Sequence, residues 1–496
     1  MEMMLSALAS LFPNAEWTGG DADIRGIATD SRKVAAGDLF VCLPGFTVDG
    51  HDYASLAIER GAAALVVERL LPVAVPQLRV KDCHFAVAVI SSHYYGYPSE
   101  RLKVIGVTGT NGKTTTTTII DYLLRAERHT TGLMGTIRTV IAGEAFNTPN
   151  TTQEAFVLQK NFARMLEKGA DYGIMEVSSH ALDLGRVKGI RFRTAVFTNL
   201  TQDHLDYHKT MENYLAAKGL LFSRMGNEFS ADPDRRQYAV LNADDPASGQ
   251  LAALTSAHTL TYGIDGECDV RADNVRLTSR GTEFRITCGK ESAEIRTKLV
   301  GRFNVYNALA AAAAVLLEGV PLGRIARHLE GLPSVEGRME LVEEGQEFLA
   351  LVDYAHSPDG LENALSSIRQ FAERRVITVF GCGGDRDRTK RPIMGEIAGR
   401  YSDYVLATSD NPRTEDPAEI LREIEAGLAR TGAGRYEIVP ERRAAIQKAV
   451  ELAGPGDVLL IAGKGHETYQ EVNRVRHHFD DREEVRNAIR GVRTND

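Results

Sequence analysis

The sequence has few cysteines, no excess of positive charge and no long apolar run, and each absence excludes a class of protein. Its five cysteines form no C-x-x-C pair, which argues against a disulfide framework and against a zinc site. The longest apolar run, Ala308 to Leu317, is about half of the ~20 residues that a membrane-spanning helix requires. A net charge of -9 offers no general attraction to a polyanion. We therefore expect structural thiols, no membrane association and no nucleic-acid partner.

The length and the N-terminal segment set the expected organisation. At ~150 residues per domain, the chain should form roughly three domains. Two polar stretches that contain Pro and Gly, residues 93–103 and 331–340, are candidate linkers. They predict domains at residues 1–100, 101–335 and 336–496. The N-terminal segment has neither the basic flank nor the cleavage site of a signal peptide, so a cytoplasmic location is expected.

Strand-like and helix-like segments alternate along the chain, which predicts an α/β fold in each domain. In the first domain, GDLFVCLPG and AALVVE flank a helical pattern. Apolar strands of the second domain are predicted at residues 104–107, 173–177, 194–197 and 239–241. Strands of the third domain are predicted within FLALVDY, RVITVFG, DYVLATSD and GDVLLIAGKG. Functional side chains are expected where these strands end, since open α/β sheets bind ligands there.

The strongest local signal is a phosphate loop between an apolar strand and a helix, in LKVIGVTGTNGKTTTTTII. Glycines allow backbone N–H groups to face phosphate oxygens, a lysine can reach the terminal phosphates, and a threonine can bind magnesium. Val107 stands where the usual eight-residue pattern has glycine, so only G-x-x-G-K-T fits, and GTPase switches and motors are disfavoured. ATP binding is predicted for Gly109, Thr110, Asn111, Gly112, Lys113, Thr114 and Thr115.

Three further segments carry candidate metal-binding or catalytic groups. Glu176 ends an apolar strand, where an acid beside a phosphate loop can hold magnesium, directly or through water, or can cap a helix. A dense polar cluster, which could also be a solvated turn, contains Asp203, His204, Asp206 and His208. Lys218 lies among small residues of a predicted amphipathic helix, where it could be a surface lysine or a phosphate-facing one.

These segments occur in one order with GTNGKT, EVSSHALDLGR, FTNLTQDHLDYH, LNADD, GRFNVYNALAA, GRME, VDYAHSPDGLENAL, GCGGDRDRTKRP, SDNPRTEDP and GKGHE. Together they resemble the Mur ligase family, and most of all its members that add meso-diaminopimelate to UDP-N-acetylmuramoyl-L-alanyl-D-glutamate. The resemblance covers nearly the whole chain. It implies an N-terminal domain for the uridine nucleotide, a central ATPase-like domain and a C-terminal Rossmann-like domain for the amino acid.

The resemblance also implies roles for residues that bind the uridine nucleotide substrate and ATP. Gln153 and Leu184 depart from the family pattern; loss of proline at 153 should matter little, whereas Leu184 removes a possible hydrogen bond to substrate. Contacts to the UDP-N-acetylmuramoyl dipeptide are implied for Ser31, Asn150, Thr151, Thr152, Ser178 and Arg186. Positions near the nucleotide are implied for Asn304, Arg338 and His356, although these segments could also serve packing.

For the metal, the resemblance implies two magnesium sites. Thr114 and Glu176 match ligands of the first site, and His204 lies near the second. Lys218 matches a carbamylated lysine, whose negative charge serves the second ion. Lys113, Glu176, His204 and Lys218 are thus the expected catalytic set.

The SDNPR segment bears on which amino acid enters. meso-Diaminopimelate carries a carboxylate beside its distal amine, which Arg413 can bind bidentately, whereas Asp410 and Glu467 can receive the ammonium. In the family, D-N-P-R marks the diaminopimelate-adding members; by itself the motif could be a proline turn with surface charge. The implied contacts are Arg386, Asp410, Asn411, Pro412, Arg413, Gly463 and Glu467.

The expected reaction transfers the γ-phosphoryl group of ATP to the D-glutamate side-chain carboxylate, and an amine then attacks the acyl phosphate. Catalysis of this kind rests on alignment and charge neutralisation, here by Lys113 and magnesium. Two alternatives stay open: a lysine-adding or folate-type ligase on the same scaffold, and a regulatory module that binds ATP without turnover. A monomer that closes around small-molecule substrates is expected.

Overall fold

The computed structural model describes residues 3–45, 48–148, 150–227, 229–278, 281–432 and 435–493. These residues form three main sheets flanked by helices, so the α/β class is confirmed. No helix among them is long and apolar enough to cross a membrane. All five cysteines are free, and Cys42, Cys83 and Cys382 are buried, as expected for structural thiols.

The first sheet has five strands in the order β2-β7-β6-β5-β4, with β2 antiparallel and the others parallel. The predicted strand–helix–strand unit is present, because parallel strands β5 and β6 are joined through α2. The elements of this part are β1 Met3–Met4, α1 Leu5–Ala9, β2 Glu16–Thr18, β3 Asp23–Ile24, β4 Gly26–Ala28, β5 Asp38–Val41, α2 Ala54–Glu59, β6 Ala64–Val67, β7 Gln77–Arg79 and α3 Cys83–Tyr94.

The second sheet has eleven strands in the order β11-β10-β9-β12-β8-β13-β14-β15-β16-β17-β18. Strands β9, β12, β8, β13, β14, β15 and β16 run parallel, and each edge continues as antiparallel strands. The elements are β8 Lys103–Thr108, α4 Lys113–Ala126, β9 Thr131–Met134, β10 Thr139–Ile141, β11 Glu144–Phe146, α5 Ala155–Glu167, β12 Tyr172–Glu176, α6 Ser179–Asp183, β13 Phe192–Phe197, α7 Leu205–His208, α8 Met211–Ser223, β14 Tyr238–Asn242, α9 Ala247–Leu254, β15 His258–Gly263, β16 Val270–Thr278, β17 Gly281–Cys288, β18 Glu291–Thr297, α10 Arg302–Leu316 and α11 Leu322–Glu330.

The third sheet has six strands in the order β19-β20-β24-β21-β22-β23, parallel except for β19. A separate two-stranded sheet joins β25 and β26. The elements are β19 Glu340–Val342, β20 Leu349–Asp353, α12 Pro358–Arg369, β21 Val376–Phe380, α13 Lys390–Tyr401, β22 Tyr404–Ala407, α14 Pro417–Leu428, β23 Arg435–Ile438, α15 Arg442–Leu452, β24 Val458–Ala462, β25 Tyr469–Val472, β26 Val475–His478 and α16 Asp481–Arg493.

The central strands of the second and third sheets are buried on both faces, which explains their unbroken apolar sequences. All four strands predicted in the second domain correspond to β8, β12, β13 and β14, and all four in the third to β20, β21, β22 and β24. The alanine-rich helix α10 packs against α4 on one face of the second sheet. Its small side chains permit this close approach, which brings the start of α10 to the phosphate loop.

A buried ion pair ties α15 to α16. Arg442 donates from Nε and Nη2 to the two carboxylate oxygens of Asp481 at 2.7 Å each, and both side chains are fully buried.

We expect Arg442→Met to destabilise the protein by about 3–5 kcal/mol, because Asp481 would keep an uncompensated buried charge. Urea denaturation measures this loss. Arg443→Met is the matched control, since the Arg443–Glu484 pair is half exposed on the arginine side and should contribute less than about 1 kcal/mol. Equal stability of the two variants would contradict the prediction.

Candidate active site

The phosphate loop lies between the end of β8 and the start of α4. Gly112 has a φ of +85°, and a Cβ there would lie 2.3 Å from Asn307 Oδ1, so glycine is required both by backbone conformation and by space. Lys113 Nζ donates to the carbonyl oxygens of Gly109 and Thr110 at 2.9 and 2.8 Å. The predicted strand, loop and helix are therefore present in the register that a phosphate cradle needs.

Residues at the end of the neighbouring strand β13 brace the loop. Thr198 Oγ1 donates to the carbonyl oxygen of Asn111 at 2.6 Å, and Asn199 Oδ1 accepts from the Asn111 N–H at 2.9 Å. Thr110 Oγ1 lies 3.2 Å from Tyr214 Oη. These contacts hold the loop in one conformation.

Thr114 and Glu176 meet at the carboxyl edge of the sheet, as predicted for the first magnesium site. Thr114 Oγ1 donates to Glu176 Oε1 at 3.0 Å. The carboxylate also accepts from Thr136, from the N–H at 2.8 Å and from Oγ1 at 3.0 Å. Thr136 was not predicted from the sequence; its position two residues after the end of β9 is the signal that could have indicated it.

This oxygen set fits magnesium. The described residues contain no group of three or more His, Cys, Asp or Glu side chains that could hold a metal ion. Magnesium needs no such cage, because it commonly takes one or two protein oxygens and completes its shell with phosphate and water. The Thr114 hydroxyl and the Glu176 carboxylate provide that minimal set.

Lys218 is fully buried on α8, so the surface alternative is wrong. Its Nζ donates to the Gly109 carbonyl at 2.8 Å and lies 4.3 Å from the centre of the Tyr214 ring. Burial lowers the pKa of Lys218 well below its usual value, and the positive charge of Lys113 lowers it further. The structure thus places a readily deprotonated amine at the base of the phosphate loop.

His204 lies in a cluster of aromatic rings beside this amine. Its ring centre is 6.1 Å from that of Tyr214 and 4.9 Å from that of His180, and its backbone is left-handed, with a φ of +55°. Partial burial lowers the pKa of His204. The negative charge of Asp203, whose Oδ2 lies 3.5 Å from Nε2, raises that pKa but does not outweigh the burial. His208 instead points inward, with Nε2 2.9 Å from Ser179 Oγ. His204, His208 and Lys218 therefore all lie around the Tyr214 ring, and His208 is held in addition by its contact with Ser179.

The third sheet contributes side chains to the phosphate loop. Arg338 Nη2 donates to Thr114 Oγ1 at 3.3 Å, and its guanidinium stacks 4.5 Å from the Tyr354 ring centre. Asp359, in the first turn of α12, accepts from Asn111 Nδ2 and from Thr201 Oγ1. Asp359 was not predicted, although its place after the helix-capping Ser357 makes it a first-turn acid. His356 is exposed, and its ring packs 4.5 Å from Tyr354.

Asn304 is linked to the phosphate loop through Asn307. Its Nδ2 donates to the Val300 carbonyl at 2.8 Å, and its Oδ1 accepts from Asn307 Nδ2 at 2.9 Å. Asn307, which the sequence analysis missed, is the side chain that packs against Gly112. Its spacing of three residues from Asn304 in GRFNVYN puts both on one helix face and could have indicated it.

The residues predicted to contact the dipeptide lie beside Glu176. Thr152 Oγ1 donates to the Glu176 carbonyl at 2.9 Å and accepts from the Ser178 N–H at 3.0 Å. Arg186 Nη1 donates to the Thr152 carbonyl at 3.0 Å. Thr151 Oγ1 lies 3.0 Å from Thr136 Oγ1. This segment therefore continues from Thr114 and Glu176 towards exposed Asn150.

The two departures from the family pattern have different surroundings. Gln153 is buried and donates from Nε2 to Thr139 Oγ1 at 3.0 Å, while its Oε1 accepts from Asn161 at 3.2 Å. These hydrogen bonds hold the position where many relatives have proline. Leu184 ends α6 as its C-cap.

Ser31 is buried in a short 3-10 turn whose N-terminus is capped by Asp30. The TDSRK segment therefore forms an ordered turn beside the first sheet.

The candidate amino-acid site lies after β22. Arg413 has a left-handed backbone, with a φ of +51°, and its Nη1 donates to the Gly384 carbonyl at 2.6 Å. Pro412 is buried and its carbonyl packs against Gly384. Arg386 lies on the same loop as Gly384 and is exposed. Arg413 therefore contacts the loop on which Arg386 lies; Arg413 is partly buried and Arg386 is exposed.

The acidic residues of this site have contrasting partners. Glu467 Oε2 accepts from Asn411 Nδ2 at 2.8 Å and from the buried Lys464 Nζ at 3.3 Å. Burial and the charge of Asp410 raise the pKa of Glu467. Burial opposes ionisation of Asp410, yet Lys464 and Arg442 outweigh it and lower that pKa.

Asp410 Oδ2 is buried, has no hydrogen-bond partner among the residues that the structure describes, and lies against Gly463, where a Cβ would be 2.6 Å away. Asp410 is therefore the carboxylate with unused bonding capacity, and Lys464 is a positive group that the sequence analysis missed despite its place in GKGHE.

Comparisons with known proteins cover all three sheets. Residues 23–95 match the Mur ligase family catalytic domain, residues 107–315 the Mur ligase middle domain, and residues 337–465 the Mur ligase glutamate ligase domain. A curated relative from Geobacillus kaustophilus, named UDP-N-acetylmuramoyl-L-alanyl-D-glutamate--2,6-diaminopimelate ligase, is 51% identical over 98% of this chain and 99% of its own. A relative of the same name from Bacillus cereus is 50% identical over 96% of both.

Solved structures agree with this assignment. One described as UDP-N-acetylmuramoyl-L-alanyl-D-glutamate--2,6-diaminopimelate ligase is 34% identical, covers 95% of both chains and has a TM-score of 0.67. The MurF ligase from Thermotoga maritima in complex with ADP is 19% identical, with a TM-score of 0.66 over 95% of this chain and 99% of its own, and shows the fold alone. The predicted three-domain architecture is confirmed. With these matches and a phosphate loop, acid and buried lysine in one site, the chain belongs to the Mur ligase family.

Proposed function

We propose that this protein is the ATP-dependent ligase that joins meso-2,6-diaminopimelate to the D-glutamate side-chain carboxylate of UDP-N-acetylmuramoyl-L-alanyl-D-glutamate, in the synthesis of peptidoglycan precursors. The identity of about one half to relatives of that name, over nearly the full length, carries the proposal. Arg413 supports the choice of amino acid, because a guanidinium matches the distal carboxylate that lysine lacks.

The three parts of the chain have separate roles in this proposal. Residues 1–100 bind the uridine nucleotide, with Ser31 as a contact; residues 101–335 bind ATP; and residues 336–496 bind the amino acid. Contacts of Arg338 and Asp359 with the phosphate loop support a site that needs the second and third parts together. The dipeptide lies along Thr151, Thr152, Ser178 and Arg186, which lead to Glu176.

In the reaction, a carboxylate oxygen of D-glutamate attacks the γ-phosphorus of ATP, and ADP leaves. The amine of diaminopimelate then attacks the acyl phosphate, and phosphate leaves as the amide forms. Lys113 and the N-terminus of α4 stabilise negative charge on the phosphates. Magnesium, held by Thr114 and Glu176, supplies further charge neutralisation when it is bound. Asn304, Arg338 and His356 surround the nucleotide.

Carbamylation of Lys218 is part of the proposal. Carbon dioxide reacts with a neutral amine, and the lowered pKa of Lys218 provides one. The amine nitrogen forms a bond to the carbon of CO₂ and releases one proton, so the product is an anion. This anion attracts Lys113, whereas the protonated amine would repel it. His204, next to the same Tyr214 ring, and the carbamate would together hold a second magnesium ion, which would add charge neutralisation. We further propose a cytoplasmic monomer without nucleic-acid or membrane partners.

Phosphate release tests the function. Purified protein, ATP, magnesium and UDP-N-acetylmuramoyl-L-alanyl-D-glutamate are mixed with meso-diaminopimelate, with lysine or with no amino acid. Release only with diaminopimelate is the expected result. Release with lysine instead would contradict the specificity, and absence of release with every amine would favour a binding module without turnover.

A further inference from the structure

The hairpin of β25 and β26 forms a two-stranded sheet of its own beside the third sheet. The residues of β25 are partly buried and those of β26 are exposed, so the hairpin adds little to the hydrophobic core. An isolated two-stranded hairpin is only marginally stable. A second structural element should therefore hold it, and the contacts of β25 identify that element.

The loop of residues 410–413 lies along β25 and forms three hydrogen bonds with it and one with the residue that follows it. Gln470 Nε2 donates to the Asp410 carbonyl at 2.8 Å, and the Glu471 N–H donates to Asn411 Oδ1 at 2.9 Å. The Arg413 N–H donates to the Glu471 carbonyl at 3.0 Å. The Arg413 carbonyl in turn accepts from the residue after β25, the Asn473 N–H, at 2.6 Å.

These contacts explain the unusual backbone of Arg413. Its φ of +51° is a conformation that residues with a Cβ rarely adopt, and it persists only where the surroundings enforce it. Here the hairpin bonds both the N–H and the carbonyl of Arg413. Because the backbone conformation sets the direction of the Cα–Cβ bond, the hairpin sets the direction in which the Arg413 side chain leaves the loop. The bond from Nη1 to the Gly384 carbonyl then holds its far end.

We propose that the β25–β26 hairpin positions Arg413 for the distal carboxylate of the amino-acid substrate, and that Gln470 is a specificity-determining positioning residue. The inference rests on the proposed function. Gln470 acts through the loop and not by touching substrate: its amide holds the Asp410 carbonyl, at the start of the segment that ends at Arg413. The substrate class concerned is a diamino dicarboxylate.

Gln470→Glu tests the proposal, because the substitution keeps the side-chain shape but replaces the donating amide by an acceptor that faces a carbonyl. The KM for meso-diaminopimelate should rise about tenfold, as expected for loss of one hydrogen bond. The KM for ATP and for the uridine nucleotide substrate should stay unchanged, and so should kcat at saturation. His477→Gln, on the exposed strand opposite Gln470, is the matched control and should behave as wild type.

A double-mutant cycle separates positioning from general stability. In an Arg413→Ala background, Gln470→Glu should cause no further rise in the KM for diaminopimelate, because the group that Gln470 positions is gone. An additive rise would overturn the proposal, as would an unchanged KM in the single variant. Gln470→Leu repeats the test if the glutamate variant does not fold. If both variants melt at a lower temperature than the wild type, the contact supports the fold and the proposal is wrong.

The wild-type arm keeps the two claims apart. Wild-type protein that shows no diaminopimelate-dependent phosphate release would contradict the proposed function itself. Wild-type protein that uses diaminopimelate, together with a Gln470→Glu variant that uses it equally well, would contradict only the role of the hairpin.

Discussion

Replacing Lys218 with glutamine is expected to lower kcat by about 10² to 10³-fold, the usual loss when one preorganised electrostatic group is removed from a phosphoryl-transfer site. Glutamine keeps a polar nitrogen on a slightly shorter side chain, and its amide cannot form a carbamate. Because Lys218 Nζ contacts the Gly109 carbonyl at the base of the phosphate loop, the change acts where charge develops. Steady-state phosphate release measures the loss.

Two further measurements assign the Lys218 effect to the carbamate. ¹³C NMR of wild-type protein in labelled bicarbonate should show a carbamate signal that the Lys218→Gln variant lacks. Lys168→Gln, which removes an exposed lysine paired with Glu144, should retain both the signal and the wild-type rate. A Lys218→Gln variant with wild-type kcat would show that this amine has no role in catalysis.

Arg413→Ala is expected to lower kcat/KM for meso-diaminopimelate by about 100-fold, because charged hydrogen bonds contribute about 1.5–3 kcal/mol each and the substrate carboxylate would be left unpaired. The KM for ATP should not change, since Arg413 bonds to Gly384 and the hairpin and not to the phosphate loop. Kinetics with each substrate varied in turn measure both constants.

Two other arginines calibrate the Arg413 result. Arg386→Ala should cost less, because Arg386 is exposed, and Arg422→Ala, on the surface of α14 beside Glu419, should cost nothing. Equal losses in the Arg413 and Arg386 variants would argue against a dedicated role for Arg413.

The sequence predicted the parts of the fold whose signals are local. Parallel strands buried on both faces, such as β8 and β21, have unbroken apolar runs, and the glycines and lysine of the phosphate loop follow a strand directly. Strands β16 to β18 were not predicted, because one face of each strand is partly exposed and the resulting alternation of buried and exposed residues leaves no unbroken apolar run.

Long-range contacts explain most of what the sequence analysis missed at the site. Lys218 has the same local surroundings as a surface lysine, and only the packing of α8 against Gly109 buries it. Asp359 meets Asn111 across 248 positions of chain, and no local pattern encodes that contact. Lys464 meets Asn411 across 53 positions. Residue types at strand ends could be predicted, but their partners could not.

The bridge from Asp359 to Asn111 and Thr201 has a thermodynamic consequence. One end of it belongs to the helix that follows β20, and the other end belongs to the loop that receives phosphates. Any free energy by which a bound nucleotide strengthens this bridge also favours the arrangement of the third sheet that carries Arg413. By linkage, the factor by which nucleotide then tightens amino-acid binding must equal the factor by which the amino acid tightens nucleotide binding. The product of the two binding constants is therefore the same whichever substrate binds first.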